Sequence, residues 1–166
     1  MDFDYDVIII GAGPVGGYTA RVLSERGLSV LMVEEHNEVG RPFQCAGLVT
    51  PSAMDAVEAY DTVVADVDGA LIHGPSGTLV PVGKEGDLRT YVVCRKRFDQ
   101  TVVQQGLEAG SDIMLESQPV SADVQPDGVV VEIVNQRTNQ TTTLRSKLLI
   151  GCDGAHSWVR RRFKMG

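Results

Sequence analysis

The sequence predicts an α/β fold, in which a β-α-β unit on a parallel sheet is joined by an antiparallel β-meander. Three observations predict it. A run of branched apolar residues, Val7 to Ile10, ends in glycines at 11, 13, 16 and 17. A second apolar run ends at Glu34, eighteen residues after Gly16. Beyond residue 112, strand-like segments alternate with turn residues until the apolar "LLIG" at 148–151.

Each element follows in order. "YDVIII" (5–10) reads as a central strand buried on both faces. Residues 14–27 read as a helix, with Val15, Thr19, Val22 and Leu23 facing the sheet and Gly27 as the stop. "LSVLMVE" is the second strand of a right-handed unit. An irregular loop, "HNEVGRPFQCAGLVT", leads to a short helix over "SAMDAVEAY", with Thr50 as its cap and Pro51 in its first turn. Residues 69–82 form a hairpin turning at Gly74 to Gly77, and "TYVVCR" is a further strand. "RFDQTVVQQGLEAG" is a helix closed by Gly110. "DIMLES", "PVSADVQ", "GVVVEIV" and "TTTLRSKLLIG" are strands, turning at Pro126 to Gly128 and at Asn135 to Asn139.

Composition excludes some functions. A net charge of −7 argues against nucleic-acid binding, which needs a basic footprint. The single basic cluster, Arg160 to Arg162 with Lys164, is either a solvated helix face or an anion contact. No apolar run approaches the ~18 residues of a membrane span. The start "MDFDYD" is acidic, so no export signal is expected. Cys45, Cys94 and Cys152 have no paired spacing, which fits a reducing, cytoplasmic setting. The three histidines, His36, His73 and His156, lack metal-ligand spacing, so no metal site is expected.

The glycine cluster carries the chemistry. Gly11 permits a tight turn and Gly13 lets the backbone approach a pyrophosphate, with Pro14 and Val15 opening the helix. Gly16 lets helix and strand pack closely. The amides and dipole of the helix start favour phosphate. Glu34, followed by Glu35, is placed to accept from a ribose. Dinucleotide binding follows, and the motif alone does not separate FAD from NAD.

The motifs "GAGPVG", "VCRKRFD" and "GCDGAHSWVRR", taken together, resemble the flavoprotein superfamily of aromatic hydroxylases. The loop "VGRPFQCAGLVTPSAM" is most similar to the geranylgeranyl reductases, including the archaeal reductases of digeranylgeranylglycerophospholipids. The resemblance spans essentially the whole chain and implies a Rossmann-like FAD-binding domain over 1–166, the amino-terminal part of a larger two-domain flavoprotein. Residues 66–94 would begin a substrate-domain insertion. It also implies FAD as cofactor and hydride transfer from reduced flavin to an isoprenoid C=C bond. A prenyl-lipid substrate, an external electron donor (NADPH or ferredoxin-like) and peripheral membrane contact follow from the same resemblance.

Several residues match positions of that family. Asp153 and Gly154 form its DG motif, near the cofactor; Asp153 or Ser157 could equally cap a helix. Arg95 either forks onto flavin phosphate or pairs with Asp99. Ala46 and Gly47 let a backbone line the flavin ring. Cys45, the one catalytic candidate, either serves substrate and proton near the ring or is an inert buried thiol. Arg41 either reaches the pyrophosphate or covers its loop. Val120 matches a position where main chain meets adenine. The family's second flavin signature, a Gly-Asp segment, is not found after Gly154, so the expectation is a truncated chain, inactive in isolation. An FAD-dependent aromatic monooxygenase and a non-catalytic nucleotide-binding fragment are the alternatives.

Overall fold

A computed structural model describes residues 2–42 and 45–165. Phe43 and Gln44, within the loop quoted above, lie outside the described residues. The elements in chain order are β1 (Tyr5–Ile10), α1 (Pro14–Ser24), β2 (Val30–Val33), β3 (Leu48–Val49), α2 (Pro51–Val57), β4 (Val63–Val67), β5 (Gly69–His73) and β6 (Leu79–Gly83). They continue with β7 (Thr90–Val93), α3 (Arg95–Glu108), β8 (Asp112–Met114), β9 (Ser117–Gln125), β10 (Gly128–Asn135), β11 (Thr141–Gly151) and α4 (Trp158–Arg162). The chain divides into two compact units, Met1–Arg41 with Asp99–Gly166, and Pro42–Phe98.

The first unit holds a six-stranded sheet in the order β8-β2-β1-β11-β10-β9. The strands β8, β2, β1 and β11 are parallel neighbours, and β9-β10-β11 is an antiparallel meander. Strand β11 therefore belongs to both halves. Its early residues pair with β10 (Val134 with Thr141, Val131 with Leu144), and its later residues pair with β1 (Val7 with Leu148, Ile10 with Gly151). The α/β fold with a meander crossover is the one the sequence predicts.

Alternation along β1 and β2 feeds two cores. Ile8, Ile10, Leu31 and Val33 join Val131, Ile133 and Val159 in one cluster. Val7, Ile9, Val30 and Met32 join Ala20 and Val103 in the other. Strands buried on both faces carry no polar alternation, which is why "VIII" and "VLMV" are continuous apolar runs.

Three expectations need correction. Helix α1 stops at Ser24, before Gly27, and its buried face is Gly16, Gly17 and Ala20. Val15, expected to face the sheet, is 65% exposed. Small residues let the helix lie close to the glycine loop and to α3, where a Cβ on Gly17 would meet Val103 at 2.9 Å, while Leu23 still packs on the core. The strand around Val120 begins at Ser117, two residues before Pro119. A proline is tolerated there because β9 is an edge strand, and the ladder shifts register between Glu132 and Ile133 beside it. In "LLIG", Leu149 and Ile150 pack on the two cores but Leu148 is 52% exposed.

The second unit contains a three-stranded sheet, β3-β7-β4, and the β5-β6 hairpin. Thr50 caps α2 by accepting from the Ala53 amide, as its sequence predicts. Every residue of β5 and β6 is exposed, including Leu71, Ile72, Leu79, Val80 and Val82. Ile72 pairs with Val80 and Leu71 with Pro81, so apolar side chains stand on both faces of the ribbon.

At the start of β1, Asp6 ties two strands to β11. Its Oδ2 accepts from the Ser29 amide at 2.9 Å, and its Oδ1 lies 2.6 Å from Lys147 Nζ. The Lys147 hydrogen bond, with help from Ser29, lowers the Asp6 carboxyl from an ordinary 3.8 to about 2. A carboxyl held lower in the folded chain adds stability above the unfolded value and loses it as pH falls through the folded one. The Asp6→Asn variant should therefore melt below wild type at pH 5–7. The difference should close as pH drops from about 4 to about 2, read by circular dichroism melts across that range.

Candidate functional site

The first unit gathers most of the sequence-predicted residues at the carboxyl ends of β1, β2 and β11. The loop after β1 is set by a close crossing. Gly11 has φ +98°, and a Cβ on it would lie 2.5 Å from the Cys152 carbonyl oxygen and 3.1 Å from Asp153 Cα. A Cβ on Gly16 would land on the carbonyl oxygen of Gly11. Neither position admits a side chain without moving backbone. The crossing is tied down by the Cys152 amide, which donates to Ile10 O at 2.7 Å, and by the Gly11 amide, which donates to Val33 O at 2.8 Å.

Gly13 differs from both. A Cβ there would meet no atom within 4 Å, so the space above the loop is open. Gly13 is the N-cap of α1 with Pro14 in the first turn; no side chain caps the helix and its first turn carries no acid. An 11-residue helix thus presents its positive end into free space. Beneath the loop, burial pushes the Cys152 thiol up, outweighing a hydrogen bond with Thr19 that pulls the other way. It stays an uncharged thiol and adds no negative charge where an anion would sit.

Glu34 closes one side. Its Oε2 accepts from the Ala12 amide at 2.9 Å, and its Oε1 accepts from the His36 amide at 3.0 Å and lies 2.7 Å from His36 Nδ1. The carboxylate is therefore bound to the glycine loop itself, with 12% of the side chain exposed. Glu35 stands outside, 61% exposed and 3.9 Å from His36 Nε2. His36, named in the sequence only for lacking metal-ligand spacing, keeps 39% of its side chain exposed while it holds Glu34.

Asp153 is held against the same loop. Its Oδ2 accepts from the amides of Trp158 (2.6 Å) and Val159 (3.0 Å), while Ser157 Oγ accepts from Arg160 N at 2.9 Å. Both residues thus cap α4. Asp153 Oδ1, however, is buried and has no hydrogen-bond partner among the described residues. Gly154 follows with φ +71° and open space at its Cβ position.

The remaining residues are placed elsewhere. Arg41 Nε lies 3.6 Å from Glu38 Oε2, both largely exposed. Val120 is exposed on β9, three strands away from β1. Cys45, Ala46, Gly47 and Arg95 belong to the second unit. There Gly47 is buried with φ +78°, and a Cβ on it would lie 2.6 Å from Val93 O and 3.2 Å from Arg95 Cγ. The Arg95 stem therefore runs across Gly47. Cys45 is exposed, so it is not the buried inert thiol considered above, and its Sγ accepts from the Gly47 amide at 3.5 Å.

The first-unit geometry fits a dinucleotide. An uncapped helix end above an open glycine suits a diphosphate, and a fixed carboxylate at the end of β2 suits a ribose. A family model described as an FAD binding domain matches residues 4–166. The digeranylgeranylglycerophospholipid reductase 1 of Methanococcoides burtonii is 36% identical over 97% of this chain, and that of Methanosphaerula palustris 35% identical over 97%. The chain spans about 40% of the length of these curated relatives. Among solved structures, a geranylgeranyl bacteriochlorophyll reductase-like protein from Thermoplasma acidophilum superposes with a TM-score of 0.81. It is 28% identical, with 90% of this chain and 39% of that chain covered. The flavin-dependent monooxygenase PieE, solved with FAD and substrate, has the same fold at 21% identity, with a TM-score of 0.81 over 96% of this chain and 32% of its own.

The Gly16→Ala variant should lose about 2–3 kcal/mol of stability, because the added methyl group meets backbone that cannot yield. For a chain of this size that lowers the melting midpoint by about 6 °C, measurable by calorimetry.

Proposed function

The chain belongs to the FAD binding domain family, and we propose on that basis that it forms the cofactor-binding part of a reductase acting on the C=C bonds of geranylgeranyl lipids. The observation that carries the cofactor half is the open Gly13 at the uncapped start of α1, beside the anchored Glu34. The substrate half is supported by the names of the relatives, digeranylgeranylglycerophospholipid reductases, and by their 35–36% identity.

Each residue then has a task. The amides after Gly11 bind the diphosphate, with Gly13, Pro14 and Val15 at the mouth and Gly16 holding α1 close. Glu34 accepts from the adenosine ribose, and its charge disfavours a 2′-phosphate there. Asp153 Oδ1, buried without a partner among the described residues, can accept from a hydroxyl, and Gly154 keeps the approach open. In the second unit, Gly47 and Ala46 supply small backbone for a flat ring, Arg95 supplies a cation for phosphate, and Cys45 is an exposed thiol able to orient substrate or pass a proton. FAD, when bound and reduced, supplies a hydride to one carbon of the double bond while a proton goes to the other. We assign residues 66–94 to the start of a substrate domain, in keeping with the apolar β5-β6 ribbon.

Two measurements test this. Gly13→Ala should change stability by about 1 kcal/mol or less, since its methyl group meets no protein atom, yet weaken FAD binding by about tenfold or more. Unchanged FAD affinity would remove the diphosphate from this loop. A protein of the relatives' length carrying these residues, given a digeranylgeranyl lipid and a reductant, should yield a product richer by two hydrogens per double bond reduced. A product that gains oxygen instead would replace the reductase with a monooxygenase.

A further inference from the structure

Glu34 can accept about four hydrogen bonds, two at each oxygen. Three are taken among the described residues. Oε1 receives the His36 amide (3.0 Å) and faces His36 Nδ1 (2.7 Å), while Oε2 receives the Ala12 amide (2.9 Å). Oε1 is full and Oε2 has one lone pair left. The segment carrying His36 is itself fastened: Glu34 O accepts from Ser117 N at 2.8 Å, and His36 O accepts from Glu116 N at 3.0 Å.

We propose that His36 is a positioning residue for the ribose-binding carboxylate, saturating Oε1 so that Oε2 alone faces the ligand. The inference rests on the FAD reading above. Without the imidazole, the Glu34 side chain loses its shortest contact and is held by two amides alone, so it gains freedom and its free lone pairs are less firmly aimed. The Ala12 amide, which belongs to the glycine loop, then loses its fixed acceptor as well. One histidine thereby sets the ribose contact and stiffens the turn under the diphosphate.

The test compares wild type with His36→Ala and His36→Asn, because an asparagine amide can place a donor where Nδ1 stands. Two readouts come from NMR of the chain: hydrogen exchange of the Ala12 amide without ligand, and the dissociation constant from FAD titration. The expected result is faster Ala12 exchange and about tenfold weaker FAD binding in His36→Ala, with His36→Asn within about threefold of wild type in both. Equal behaviour of His36→Ala and wild type would overturn the proposal, as would an Asn variant as impaired as the Ala variant. A wild-type chain that takes up no FAD would overturn the cofactor reading instead. Ala12 exchange unmoved by His36→Ala would then overturn the positioning role separately.

Discussion

The crossing of Gly11 over the Cys152 carbonyl is the constraint on which the site depends. It sets how closely the first strand's exit can lie to the last strand's, and so where the amides of the loop point. Gly16 repeats the constraint one layer up, against Gly11 itself. With both contacts at backbone distance, the loop has almost no freedom to adjust, and the start of α1 is aimed by steric necessity. The hydrogen bond from Ala12 to Glu34 joins the acid to the same rigid piece. The loop amides and the Glu34 carboxylate are consequently one body, and on the proposed reading this would spare the entropy of assembling them on binding.

The anion site uses little formal charge. The chain carries a net charge of −7, and no basic side chain stands among the contacts described around Gly11, Gly13 and Gly16. On the proposed reading, attraction for phosphate at this loop would come from oriented amides and a helix dipole, whose strength survives salt better than an exposed lysine's because the groups are close and fixed. The Cys152 thiol, kept neutral by burial, complements this arrangement. An ionised sulfur in that position would oppose the ligand's charge at short range.

Much of this was legible in the sequence because short-range rules dominate where glycine, proline and continuous apolar runs occur. Tyr5 to Glu34, the Thr50 cap, the hairpin at Gly74 to Gly77 and the meander each depend on local spacing. What was not legible depends on tertiary distance. Val15 is exposed because α1 rests on Gly16, Gly17 and Ala20, a choice of face that depends on its approach to the Gly11 loop and α3 and that periodicity does not encode. Strand β4, "VVADV", has only partly buried ends and exposed Val64, Ala65 and Asp66, so it lacks the alternation that betrays a strand. The two roles of Asp153, cap at one oxygen and orphan at the other, share one residue type and separate only in three dimensions. His36 was hidden for a similar reason: nothing in "EEH" says which carboxylate the ring will choose.

Strand β11 pairs with β1 across more than 140 positions of chain, Tyr5 with Ser146 and Ile10 with Gly151. Because the carbonyl that shapes the glycine turn sits at position 152, the turn cannot acquire its final form until that residue has left the ribosome. Non-local pairing of this kind is slow, since a long stretch of polymer must close before any contact rewards it. The glycine turn is thus encoded about 140 residues before the carbonyl that completes it.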